Sequence, residues 1–136
     1  MNTATARYTG HLRTEATHTA SNNVIFTDAP VDNHGRGEGF SPTDLVSTAL
    51  GSCMMTIMGI VAERNGLDLT AATFAVTKHM SSEPPRRIAQ IDVDFRLPAA
   101  LSAKDRAVLE NAARTCPVAL SLSPEIRQQV QFEYSA

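Results

Sequence analysis

The chain has 136 residues, 43% of them hydrophobic and 19% charged, with a formal net charge of -2 and a pI near 6.0. That length suits a single domain, residues 1–136, with one core and little chain left for a second. The composition is that of a folded soluble protein, and the charge balance offers no basic stripe, so disorder, nucleic acid and anionic membrane surfaces are all disfavoured.

The N-terminal "MNTATARYTG" lacks the apolar run of a secretory signal, and the expected location is cytoplasmic. In that setting the two cysteines point to packing, metal binding or redox chemistry rather than to a permanent disulfide. From Tyr8 through Gly10, Leu12, Thr14 and Ala16 to His18 a period of two predicts a strand, ending at a turn over "SNN" at 21–23. "VIFT" then reads as a short strand. The following "DAPVDNHGRGEG" at 28–39 reads as a loop, of a length that often carries function.

A long helix comes next. Ser41 is a suitable N-cap, Pro42 suits the first helical position, and Asp44 stands where the acidic member of a capping box belongs. Asn65 and Gly66 supply the stop. The helix between them is roughly 36 Å long at the usual rise, and a domain of this size buries it only through its middle or against a second subunit. Asp44, Glu63 and Arg64 interrupt it as a membrane span.

Beyond Gly66 the period changes. "TFAVTKHM" and "IDVDFRL" predict a half-buried antiparallel hairpin across "SSEPPRR", with Ile91, Val93, Phe95 and Leu97 on one face. Ser102 and Asp105 open a second helix, which must yield near Cys116 because Pro117 disfavours helical geometry in the preceding residue. "SPEI" at 123–126 suggests a short helical turn, and Val130, Phe132 and Tyr134 a last strand. Strands, long helix, hairpin, helix and strand together make an α+β arrangement.

Cys53 falls in the middle of the long helix. Its helical neighbours Val46, Ala49, Leu50, Thr56, Ile57 and Ile60 are nearly all apolar, which predicts a sulfur on the buried stripe. Packing is the plain reading, since unpaired cysteine commonly serves as a small hydrophobe. Chemistry is the other. Burial raises a thiol pKa and a nearby cation lowers it by a comparable amount, so a reactive Cys53 needs an arginine brought to it, with an acceptor to hold that arginine.

Other chemistry is poorly represented. His11, His18, His34 and His79 are scattered and no Cys-x-x-Cys exists, so no metal is expected. There is no Gly-x-Ser-x-Gly elbow for a serine hydrolase. "EPPRR" reads as a solvated basic hairpin tip, and Met54, Met55 and Met58 as packing.

"SPTDLVSTALGSCM", followed 63 residues after Cys53 by Cys116 in "TCPVALSLS", resembles the OsmC/Ohr family of thiol peroxidases over essentially the whole chain. The resemblance implies an OsmC-like fold, with antiparallel sheets, a long buried central helix and an intertwined homodimer carrying two active sites at the subunit interface. It implies a peroxidatic Cys53 attacking a small organic hydroperoxide, a resolving Cys116 that forms a disulfide with it, and Arg13 stabilising the thiolate. It implies no bound cofactor. The reductant would be an external dithiol, typically a lipoylated protein. Peroxidases of the family usually carry Glu directly after the helix-start proline to orient the arginine; here that residue is Thr43, and Asp44 or Glu38 is the candidate substitute. The alternatives for the same residues are a solvated strand arginine at Arg13, a helix cap at Asp44, and a non-catalytic or redox-sensing binding protein of the same fold.

Overall fold

In chain order, three strands precede a long apolar helix and three follow it in the computed structural model, which describes residues 1–135. The chain divides into two compact units, residues 1–46 and the remainder from Ser47 onward.

The first unit is an antiparallel sheet of β1 (Ala4–Gly10), β2 (Arg13–His18) and β3 (Val24–Asp28), in that order. The single strand expected over Tyr8–His18 is therefore two strands. Gly10, His11 and Leu12 all take positive φ (92°, 54° and 63°), and the chain reverses there. Alternation of side chains continues in phase through so short a turn, so periodicity alone does not register it. The turn expected at 21–23 is present, with Asn22 at φ 61° and its N–H bonded to the His18 carbonyl. The loop after β3 contains one 3-10 turn, Val31–Asn33.

Helix α1 (Pro42–Arg64) starts at the expected proline, and Gly66 at φ 67° lies beyond its end. From Ser47 onward the helix belongs to the second unit with a sheet ordered β4 (Thr73–Met80), β5 (Ile88–Pro98), β6 (Arg127–Ser135). β4 and β5 form the antiparallel hairpin expected, with Val76 opposite Val93. β6, however, runs parallel to β5, so this sheet is mixed rather than wholly antiparallel. The reason is the crossover through α2 (Ala103–Arg114) and α3 (Pro117–Ser121), which returns the chain to the end of the sheet where β5 began.

Ser102 caps α2 by accepting the Asp105 N–H, as its spacing predicts. The short helix expected at "SPEI" lies earlier, at Pro117–Ser121, because Pro117 at its start is pre-set for helical φ and Cys116 serves as the N-cap. Ser123–Ile126 is only a turn, closed by the Ile126 N–H on the Ser123 carbonyl.

The core of the second unit sets Leu50, Met54, Met58 and Ala62 of α1 with Ile91, Val93, Phe95 and Leu97 of β5. A four-residue step on a helix and a two-residue step on a strand each keep one face, which is why both runs bury together. Phe95 lies between Phe74 and Phe132, with ring centroids 5.7 and 5.3 Å away. The stripe of α1 buried within the chain shares Leu50 with the one expected around Cys53 but is turned from it: Val46 and Ile60 are 39% and 41% exposed, and the stripe runs through Ser47, Leu50, Gly51, Met54, Met58 and Ala62. Gly51 lies on it for steric reasons, since a Cβ there would stand 2.7 Å from the Phe74 ring.

Candidate functional site

One turn of helix separates Cys53 from the fully buried Leu50, and this offset leaves its thiol half-buried at the edge of the core. Cys116 stands where the helix is interrupted between α2 and α3. Pro117 stops α2 from continuing, Cys116 takes extended geometry as N-cap of α3, and its sulfur accepts the Ala119 N–H at 3.4 Å. It is completely buried, and both cysteines are free thiols.

The fold sets Cys53 near enough to Cys116 to influence its ionisation. Burial pushes the Cys116 thiol up from its ordinary value, and the Ala119 N–H opposes that rise. Cys53 is close enough to raise it further by hydrogen bond and by charge. A negative charge on Cys53 therefore works against ionisation of Cys116.

Arg13 is held within the first unit. β2 pairs with β3 so that Arg13 lies opposite Asp28, and the guanidinium donates from Nε to Asp28 Oδ1 (2.6 Å) and from Nη2 to Asp28 Oδ2 (2.8 Å). Nη2 also donates to Glu38 Oε1 at 2.8 Å, and the guanidinium carbon stacks 4.5 Å from the centre of the Phe26 ring. Asp28 is wholly buried and its Oδ2 accepts the Glu38 backbone N–H at 3.0 Å. These contacts have the expected electrostatic effect. The hydrogen bond from Arg13 is the largest influence holding the Asp28 carboxyl below its ordinary value, and the same bond raises Arg13 further above its own.

Asp44 has a different place. Its Oδ2 accepts the Ser41 N–H and its own N–H donates to Ser41 Oγ, both at 3.0 Å, which completes a reciprocal capping box at the start of α1. The structure thus joins Glu38 to Arg13 and Cys53 to Cys116, while Asp44 caps its helix. Asp28 escapes a reading of the sequence by periodicity because it stands at the border of "VIFT" and the loop. The signal that could have found it is hairpin register: once β2 and β3 are paired across the 21–23 turn, an acid faces Arg13 at the strand end. No group of three or more potential metal ligands occurs among the described residues.

A family model described as OsmC-like protein matches residues 35–131. A solved structure from Psychrobacter arcticus 273-4, provisionally described as an osmotic stress induced and detoxification response protein, is 47% identical over 98% of this chain and 96% of its own, with a TM-score of 0.94. An OsmC-like protein from Mycoplasma pneumoniae shares the fold at 16% identity and a TM-score of 0.80, covering 98% of this chain and 96% of its own. So does a Legionella pneumophila protein described as an organic hydroperoxide resistance protein OsmC, at 13% identity and a TM-score of 0.75 with 98% of each chain covered. Comparison with curated proteins finds no match. With its model matched across the second half of the loop, α1, both hairpin strands, the crossover and the start of β6, the chain belongs to the OsmC-like protein family.

Proposed function

We propose that the protein is a thiol-dependent peroxidase that reduces small organic hydroperoxides. The single observation that carries this reading is the proximity of Cys53 to Cys116, two free thiols 63 residues apart in sequence, one half-buried and one fully buried. The description of the Legionella pneumophila relative as an organic hydroperoxide resistance protein supports the same substrate class.

In this reading the Cys53 thiolate attacks the terminal oxygen of the hydroperoxide. An S–O bond forms, the O–O bond breaks, the alkoxide leaves and takes up a proton as the alcohol, and the sulfur is oxidised by two electrons to a sulfenic acid. Cys116 then attacks that sulfur, the S–S bond forms and hydroxide leaves as water after protonation. Oxidation of Cys53 also removes the negative charge that opposes ionisation of Cys116, so the second thiol becomes easier to ionise at the step that uses it. An external dithiol, lipoyl-type in the family, reduces the disulfide by exchange and is itself oxidised. Arg13 is assigned the stabilising of the thiolate and of the departing alkoxide. No cofactor is required, and the cytoplasm is the proposed setting.

We further propose a homodimer. Only 33% of the apolar stretch of α1 is buried within the chain, so much of its apolar surface is left for a second subunit to cover.

The test is thiol counting. One equivalent of cumene hydroperoxide should consume both thiols within seconds and give a Cys53 to Cys116 disulfide by mass spectrometry. Cys53→Ser should abolish turnover with a dithiol reductant, and Cys116→Ser should accumulate a sulfenate that dimedone traps. Oxidation as slow as that of free cysteine would refute the peroxidase and leave a redox-sensing member of the family, a reading to which Thr43, in place of the customary acid, lends support.

A further inference from the structure

Thr43 follows the helix-start proline and offers the arginine of the proposed peroxidase no carboxylate, yet the arginine is not left unheld. Both Asp28 carboxylate oxygens engage it, on Nε and Nη2, in the parallel fork geometry that matches a guanidinium to a carboxylate. Asp28 is in turn fixed on three sides. It is wholly buried, its backbone N–H donates to the Phe40 carbonyl at 3.1 Å, and its Oδ2 takes the Glu38 N–H. The Phe26 ring closes one face of the guanidinium. Glu38 adds one hydrogen bond from a loop position where its side chain is 62% exposed. The two carboxylates engage Nε and Nη2 and neither engages Nη1.

We propose that Asp28, on a sheet strand, is the positioning residue for Arg13 in this chain, with Glu38 as a subsidiary outer clamp, and that together they present Nη1 as the anion-binding edge. This rests on the peroxidase reading for the role of Arg13. The geometry favours Asp28 over Asp44 because Asp44 is engaged with Ser41 at the helix start, and over Glu38 because a solvent-facing carboxylate with a single bond orients a guanidinium less tightly than a buried bidentate one. The arrangement moves the orienting acid from the helix to the sheet. The acid and the arginine then sit opposite each other in one hairpin, so their relative position is fixed by strand register.

The experiment compares Asp28→Asn, Glu38→Gln, Asp44→Asn and Arg13→Ala in two assays. The first is kcat/KM for cumene hydroperoxide with a dithiol reductant. The second, independent of turnover, is the pH profile of Cys53 alkylation by iodoacetamide with Cys116 replaced by Ser. Asp28→Asn should lower kcat/KM by about 10- to 100-fold and move the alkylation profile to higher pH in the direction of Arg13→Ala, as expected when a positioned group is released from its geometry. Glu38→Gln should lower kcat/KM by a smaller factor than Asp28→Asn, and Asp44→Asn, at a residue that caps its helix, should stay within about threefold of the parent. Arg13→Ala altering both readouts while Asp28→Asn alters neither overturns the proposal but leaves the peroxidase reading intact. A parent protein that shows no turnover refutes that reading instead, and the alkylation profiles still decide whether Asp28 acts through Arg13. If Arg13→Ala leaves the profile unmoved, both fail. Should Asp28→Asn not fold, nitrogen-15 NMR of the unaltered protein decides: a slowly exchanging Arg13 Nε–H with hindered guanidinium rotation supports the proposal, and a rapidly exchanging, freely rotating guanidinium overturns it.

Discussion

Cys53 and Cys116 have the same side chain and opposite surroundings, and their reactivity should differ accordingly. Cys116 is buried, its sulfur already accepts a backbone N–H, and burial together with Cys53 pushes its thiol up. Cys53 is half-buried at the margin of the core. Iodoacetamide at pH 8 should therefore modify Cys53 of the reduced native protein at least about tenfold faster than Cys116, since the thiolate is the nucleophile and access limits the reagent. Unfolding in urea should erase the difference, and peptide mass spectrometry of timed samples reads both rates. Equal rates in the native protein would contradict the burial assigned to Cys116. At this scale Cys53 and Cys116 stood out as candidates from the two stretches that resemble the family and Arg13 from its place in the first hairpin, with Glu38 within reach as a candidate partner. Asp28 was not, because a strand-end acid is defined as a partner only by which residue lies across the hairpin from it.

Among the elements, α1 is the best specified by local chemistry: a reciprocal Ser41–Asp44 capping box, Pro42 at its first position and Gly66 after its end. Its packing was less legible than its boundaries. A helix apolar on most of its circumference has several possible buried stripes, and the sheet selects the one with the smallest residue where the approach is closest. Gly51 is that residue, with Phe74 ring atoms 2.7 and 2.8 Å and Val76 Cγ2 3.0 Å from the place a Cβ would occupy. Gly51→Ala gains in helix propensity by roughly 1 kcal/mol but forces the Phe74 ring off Phe95, and overpacking of this kind costs about 1–3 kcal/mol. The net expectation is a loss of stability of up to about 2 kcal/mol, read as a lower urea midpoint with unchanged slope. An increase in the midpoint would show that helix and sheet can separate without cost. The turn at Gly10–Leu12 and the parallel placement of β6 were missed for a related reason. Side-chain alternation reports that a segment is extended, and says nothing of where the chain reverses or which neighbour it meets.

For the whole molecule the ionisable groups set a window of stability. Arg13 holds Asp28 below its ordinary value, and hydrogen bonds from Gln90 and then His79 do the same for Asp92. A carboxyl depressed in the folded state binds protons more weakly there than in the unfolded chain. Its contribution is complete above the unfolded value near 3.9 and is lost as pH falls through the folded one. Cys116 has the opposite shift: the folded state keeps its proton longer, so stability falls as pH rises past the ordinary thiol value of 9.0. Thermal unfolding of the reduced protein should show a level Tm from about pH 5 to 8, with losses below about pH 4 and above about pH 9. Cys116→Ala should remove part of the alkaline loss, and Asp28→Asn should lower Tm at neutral pH while reducing its acid-side dependence. A Cys116→Ala profile with an undiminished alkaline loss would contradict the shift assigned to that thiol.

The sequence by itself determined the α+β class, the limits of α1, the β4–β5 hairpin with its core face, the family and the two cysteines, because caps, side-chain periods and a compact motif are all local properties of the chain. Only the tertiary structure decided that Cys53 lies near Cys116, that β6 lies parallel to β5, which stripe of α1 is buried, and that Asp28 and Glu38 hold Arg13 while Asp44 caps a helix. Each of these is a relation between residues distant in sequence, set by register and packing, and neither quantity has a signature in the residues taken one segment at a time.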